Sequence, residues 1–265
     1  MEKIYLHGIE KNNGIVFSNL GVTNGILFSP EYIHNAPVGY ITTFPAGKFP
    51  EGNMMAYIMK TSNAPSEDNY ASAKDISVAE LKSNPNSIKN FVGRRSAWYI
   101  WAGAILRNGG KIGIGVPPYD TNWLRDKEKE RIIRVSNLEL KFEEIRREIN
   151  LELPSRLTSL YLADNNSNGH KVIESSIKNN YEEFRVKIVD CESFAKVDMR
   201  WIDMYSDSPK VEFIENYWLG NPASGNNEDC HWEYLLEGSI ELIDKSNLKT
   251  IQALGVELLN KSSSG

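Results

Sequence analysis

Cysteine is scarce in this chain of 265 residues, with Cys191 and Cys230 the only two. A pair of thiols builds no disulfide framework, and a structural zinc site wants four clustered ligands, so both are expected free in a reducing compartment. Histidine is nearly as rare. His7, His34, His170 and His231 form no His-x-x-x-His pair and stand beside no paired carboxylates at metal spacing, which argues against a metal centre. The Gly-x-Ser-x-Gly elbow of serine hydrolases is missing, and Pro222-Ala223-Ser224-Gly225-Asn226 reads as a loop. Long apolar runs are missing too. The most apolar stretch, Ala97 to Leu106, is flanked by Arg94, Arg95 and Arg107 and is about half the roughly 20 residues that span a bilayer. It is expected as a buried helix. Met1 to Gly8 holds no basic leader followed by an apolar core, so export by a signal peptide is not expected and the chain reads as cytoplasmic, without a membrane partner.

What is present suits a folded domain. With 41% hydrophobic and 25% charged residues the chain can bury most of its apolar surface. The net charge of −5 is uneven, since residues 81–150 carry 14 Lys/Arg against 8 Asp/Glu, a local excess of +6. Such a segment can face a polyanion, and nucleic-acid binding through 81–150 is one possible function. Mixed signs along Lys127, Glu128, Lys129, Glu130 and Arg131, with no aromatic residues between them to stack bases, favour a solvated helix face instead.

Hydrophobic periodicity predicts strands at 2–7, at Gly25–Phe28 and within 38–60, followed by a loop from Ser62 to Ala73. Ser77 with Glu80 three residues on forms a capping box that opens a short helix. A helix over 87–107 ends at Asn108-Gly109-Gly110, and a second block over 123–150 is expected to break near Ser136-Asn137, with Ile132, Ile133, Leu140, Phe142, Ile145 and Ile149 facing inward. Gly110-x-x-Gly113-x-Gly115 follows a helix and leads into Val116-Pro117-Pro118, so it is not a dinucleotide-binding loop but a strand or hairpin. Strands over 158–163, 184–189 and 231–243, with helices over 171–178 and 211–218, complete an α+β pattern. No repeat or linker divides it, so a single domain over 1–265 is expected, with a helical insertion at about 75–150 and a flexible tail at 261–265.

Three short segments carry chemistry. Tyr5-Leu6-His7-Gly8 lies on the first strand, Pro154-Ser155-Arg156 leads through Ser159 into Leu160-Tyr161-Leu162, and His231-Trp232-Glu233-Tyr234 opens the last strand. Together they resemble the ADP-ribosyltransferase superfamily, in the class where a His-Gly pair, a Tyr and a late Glu line an NAD cleft. The run Phe142-Glu143-Glu144-Ile145-Arg146-Arg147-Glu148, then Pro154-Ser155-Arg156 and Glu215-Asn216-Tyr217-Trp218-Leu219-Gly220, is similar to a bacterial family of transferase-like proteins.

That resemblance implies split antiparallel sheets with flanking helices, NAD as the substrate, and transfer of ADP-ribose to a protein or nucleic-acid acceptor. Cleaving the nicotinamide–ribose bond passes through an oxocarbenium-like transition state, which a carboxylate stabilises. The resemblance assigns that role to Glu233, with Glu237, of the same strand parity, as the fallback. It assigns Tyr161 to the nicotinamide ring, His7 to a ribose hydroxyl, Gly8 to close backbone approach and Arg156 to the pyrophosphate, with Ser159 at the cofactor. Asn24-Gly25-Ile26-Leu27-Phe28-Ser29 is a second aromatic-strand candidate, which would put Phe28 in the place of Tyr161. Ile9 stands where the family pattern has Ser or Thr, so a catalytically inactive binding or immunity module is the alternative. By family association the chain would suit a toxin or phage-defence role with an antitoxin or immunity partner.

Overall fold

The computed structural model describes residues 3–11, 16–17, 20–21, 23–29, 73–88, 95–114, 122–177, 180–226 and 229–263. In chain order they form β1 (Tyr5–Glu10), β2 (Ile26–Phe28), α1 (Val78–Ser83), α2 (Pro85–Ile88), α3 (Arg95–Arg107), β3 (Gly113–Ile114), β4 (Asn122–Trp123) and α4 (Asp126–Ile149). Then come β5 (Leu160–Asp164), α5 (Ser167–Ile177), β6 (Tyr181–Asp198), α6 (Arg200–Asp207), α7 (Val211–Trp218), β7 (Trp232–Leu242) and α8 (Leu248–Ser263). The class is mixed helix and strand. Two compact units result, Met1–Tyr57 with Ser159–Lys261, and Ile58–Thr158 with Ser262–Gly265.

The first unit is built on a five-stranded antiparallel sheet in the order β2-β7-β5-β1-β6, with β6 also pairing β7. Strand alternation sorts its side chains onto two faces. Tyr5, Ile9, Leu27, Leu160, Leu162, Val186, Tyr234, Leu236, Ile240 and Leu242 make one core with Phe17, Leu20 and Leu248. On the other face Leu6 and Ala163 meet Val172 and Ile173 of α5. Each such side chain, fully buried, contributes about 1.5–3 kcal/mol.

Two features of the ladders matter for the site. β1 pairs with β5 only at Tyr5↔Asp164 and Leu6↔Ala163, while its pairing with β6 runs on to Glu10↔Tyr181, so β1 and β5 fork at His7. β7 has β6 along one edge, and on the other it passes from β5, over Glu233 to Leu236, to β2, over Ser239 to Glu241. β6 extends well beyond the expected 184–189. The polar run Asp190-Cys191-Glu192-Ser193 breaks the alternation because the register shifts there twice, between Ile188 and Asp190 and between Cys191 and Ser193. Gly238 lies opposite Cys191 with φ +155°, and a Cβ there would stand 2.1 Å from the Asp190 carbonyl oxygen.

In the second unit Ser77 caps α1, its Oγ accepting the Glu80 N–H at 3.2 Å. Ile76, Leu81, Ile88, Ala97, Ile100, Leu140 and Leu157 pack into one cluster, and Ala102, Ile112, Leu124 and Ile132 into another. The expected break at Ser136-Asn137 does not occur, and α4 is continuous. Ser136 is buried, accepts a hydrogen bond from Arg107 Nη2 at 2.7 Å and lies against Gly103, so it serves as a small contact residue between α3 and α4. Within the glycine run, Gly113 and Ile114 form β3, paired with β4.

Two helices were not expected. α6 is eight residues long and buries none of them. α8 continues through Ser263, where a flexible tail was expected. Strands expected within 38–60 lie outside the described residues. No helix among the described residues is long and apolar enough to cross a membrane.

Candidate functional site

β5 lies between β1 and β7, so segments from distant parts of the chain are neighbours in one sheet. Tyr161 pairs with Leu235, Ala163 with Glu233, and Phe28 with Ser239. Tyr161, Glu233, Glu237 and Phe28 therefore share one face, and Gly8, of the same parity as Leu6, faces that side on β1. Glu233 and Glu237 are buried, and Ser193 Oγ donates to Glu237 at 2.5 Å. Gly8 is pressed by α5, where an added Cβ would come 2.6 Å from Ile173 Cγ2 and 2.7 Å from Ile177 Cδ1. Ser159, just before β5, is fully buried, as is Ser29, whose Oγ accepts the Gly238 N–H at 2.9 Å.

His7 does not join this group. It has the parity of Tyr5 and Ile9, on the opposite face, and its Nδ1 lies 2.8 Å from the Tyr161 carbonyl oxygen. The ring thus bridges the fork where the β1–β5 ladder stops. A backbone tie, and not a position facing Glu233, is what the register gives this side chain.

Arg156 belongs to the second unit. Its Nε and Nη2 donate to the two oxygens of Glu139 at 3.0 and 3.1 Å, a bidentate ion pair, and both side chains are buried. The neighbouring motif residues are just as structural. Glu143 accepts from Arg146 Nε at 3.1 Å and Nη2 at 2.8 Å, from Arg147 Nε at 2.8 Å and from Ser155 Oγ at 2.8 Å. Arg146 Nη1 then reaches the Leu151 and Leu153 carbonyls, and Arg147 the carbonyls of Ile76 and Ala73. Burial alone would raise the Glu143 pKa, but the hydrogen bonds and charges of Arg146 and Arg147 outweigh it and hold the carboxyl below its ordinary range. The Glu-x-x-Arg-Arg and Pro-Ser-Arg motifs thus staple the C-terminal end of α4 to its flanking segments.

Residues 121–251 match a family described as a protein of unknown function, DUF2441. No curated protein matches the chain. The DUF2441 match takes in the α4 staple, β5, β6 and β7 but leaves out β1 and β2, so His7, Gly8 and Phe28 lie outside it.

A second cluster escaped sequence reasoning. Tyr234 Oη lies 3.0 Å from each oxygen of Asp164 and accepts from Lys3 Nζ at 3.1 Å, while Lys3 pairs with Asp164 at 2.9 Å. Lys3 also stands over the rings of Tyr5 and Tyr234, at 4.7 and 4.5 Å from their centroids. Partial burial opposes the Lys3 charge, but Asp164 and Tyr234 prevail and raise its pKa. Beside Asp164, at the start of α5, lies a cavity of about 240 Å³ lined by Asp164, Asn166, Asn168, Gly169, Val172, Cys230 and Trp232. Behind Cys230, the buried Asp198 accepts N–H bonds from Ala223, His231 and Arg200. Burial opposes its ionisation, but these bonds and the Arg200 guanidinium lower its pKa. The signal was faint in sequence because Lys3 and Asp164 gain meaning only once β1 and β5 are paired.

Proposed function

We propose that the chain is an NAD-cleaving ADP-ribosyltransferase whose reacting centre lies on the β5–β7 face beside the β1–β5 fork. The observation that carries this reading is the shared face of Tyr161, Glu233 and Glu237 on adjacent strands, with Gly8 of β1 facing the same side. In it Glu233 stabilises the oxocarbenium-like ribose, and Tyr161 provides a ring for the nicotinamide. A sheet that forks at His7 supports the split-sheet architecture that goes with this chemistry. His7 acts here as a positioning residue, fixing the backbone of Tyr161, and Arg156 supports α4 instead of holding a pyrophosphate. The acceptor is a protein or a nucleic acid.

Incubation with NAD is expected to release nicotinamide, and Glu233→Gln to abolish that release without lowering the melting temperature. Full turnover by Glu233→Gln together with loss in Glu237→Gln would move the role to Glu237. Full turnover by the double variant would sink the assignment.

The separation of His7 from Glu233 across the sheet favours a second reading, a catalytically inactive module that binds NAD or a partner protein. Calorimetric binding of NAD with no nicotinamide release would select it.

A further inference from the structure

β6 outruns its neighbour on one side. β1 pairs with it from Glu10↔Tyr181 to Tyr5↔Val186 and goes no further, whereas β6 continues to Asp198 with β7 along its other edge. Over Ile188 to Phe194 the edge away from β7 therefore carries no strand among the described residues. It closes farther on, where Gly220 stands against the Lys196 carbonyl and an added Cβ would come 2.9 Å from that oxygen. Alternate residues of an antiparallel strand turn their N–H and C=O groups to each edge, so the open stretch offers main-chain donors and acceptors.

The stretch is reachable from both faces as well. Val189, Asp190, Cys191 and Glu192 are four consecutive exposed residues, in a strand whose side chains point alternately to opposite sides. Val189 leaves 47% of its apolar surface in solvent. Asp190 accepts the Ser239 hydroxyl at 2.9 Å, and neither it nor Glu192 makes an ion pair among the described residues.

Those two carboxylates select what lies there. A second copy of β6 paired antiparallel across this stretch would set Asp190 and Glu192 against their own counterparts, and like charges facing across strands are destabilising. The two register shifts twist β6 locally, which further disfavours pairing between identical copies. A strand bearing Lys or Arg meets opposite charge instead.

We propose that the edge of β6 from Ile188 to Phe194 is a docking site for an extended, basic segment of a partner protein, which adds to the sheet as a strand. Main-chain hydrogen bonds supply the affinity, while Lys or Arg against Asp190 and Glu192, and an apolar side chain against Val189, select the sequence. The inference does not depend on the NAD reading, because binding at this edge is measured without NAD.

The full chain is titrated, by fluorescence anisotropy, with a short peptide alternating Lys and Val, with the same peptide N-methylated at every amide, and with a peptide alternating Glu and Val. The Lys peptide is expected to bind, and the Glu peptide not to. N-methylation should weaken binding about tenfold or more, by removing the main-chain donors. Glu192→Lys should weaken the Lys peptide several-fold with the melting temperature unchanged. Cys191 provides a local readout, because saturating Lys peptide should slow its reaction with a thiol reagent several-fold and leave Cys230 unaffected. Should Glu192→Lys fail to fold, the N-methylated peptide and the protection of Cys191 decide. No binding by the Lys peptide, equal binding by the N-methylated or the Glu peptide, or unchanged Cys191 labelling at saturation overturns the proposal. Sedimentation of the chain alone tests the other occupant, and a dimer that protects Cys191 without peptide overturns the partner strand in favour of a second copy.

Discussion

His7 holds its ring Nδ1 2.8 Å from the carbonyl oxygen of Tyr161, at the first residue where β1 parts from β5. A carbonyl only accepts, so Nδ1 must carry the proton. Nitrogen-15 spectra of the neutral ring should show the Nδ1–H tautomer. His7→Ala should cost about 1–3 kcal/mol in a denaturant titration. The Nε2–H tautomer, or no loss of stability, would refute the tie.

Glu143 is the centre of the α4 staple, and its replacement should be among the most damaging in the second unit. Glu143→Gln leaves Arg146, which is fully buried, without its countercharge. Breaking a buried pair this way costs about 3–5 kcal/mol. Circular dichroism during urea unfolding reads the loss, and Glu144→Gln, on a half-exposed carboxylate paired with Lys141, should be nearly silent.

Acid should weaken the fold through Glu143 and Asp198 together, because both have folded pKa values below their ordinary ones. With the folded value depressed, their stabilisation is present above the unfolded carboxylate pKa of about 4. It is lost as the pH falls from there through the folded values. Stability measured between pH 7 and pH 3 should therefore decline, with a shallower slope in Glu143→Gln. An equal slope in that variant would remove Glu143 from the effect.

Asp198 also guards a thiol. Its oxygens accept N–H groups from Ala223, Arg200 and His231, and Arg200 Nη2 lies 3.4 Å from the Cys230 sulfur. Cys230 is buried and Cys191 exposed. Native protein should be labelled by a thiol reagent at Cys191 first. Asp198→Asn turns an amide NH2 toward N–H donors whichever way it is flipped, and should raise Cys230 labelling by about tenfold or more. Mass spectrometry of the labelled peptides distinguishes the two sites.

Gly238→Ala should disrupt the β6–β7 ladder, since the new methyl would meet the Asp190 carbonyl oxygen, backbone that cannot swing away. Gly8→Ala meets only the ends of Ile173 and Ile177 and should cost about 1–3 kcal/mol. A larger loss at Gly8 than at Gly238 would contradict these contacts.

Much of the scaffold was readable where a local rule governs it. Ser77 and Glu80 marked the start of α1, apolar spacing picked out Ile132, Leu140, Phe142 and Ile145 as the buried stripe of α4, and α7 spans the predicted 211–218. What escaped depends on partners distant in sequence. Glu139, Glu143 and Arg146 look like surface charges until their fold-back onto residues 151–156 buries them. Ser136 looks like a helix breaker until Arg107 and Gly103 engage it. The second half of β6 was not picked out as strand because two register shifts scramble its alternation. At the candidate site, sequence put Tyr161 and Glu233 each on a strand, but their adjacency comes from the β5–β7 register and the face on which His7 lies from its register with β6, which no local pattern encodes.

The position of β7 in the sheet also constrains how the protein is made. Among the described strands it is the last to leave the ribosome, yet it hydrogen-bonds β2, β5 and β6. Residues 73–158 contain the partners of the second unit's clusters and of the α4 staple, and can assemble while synthesis continues. The sheet must wait, with Leu27 and Leu160 uncovered, until residue 242 has emerged. Truncation anywhere before that point leaves these apolar strands open to aggregation, even though most of the polypeptide has been translated.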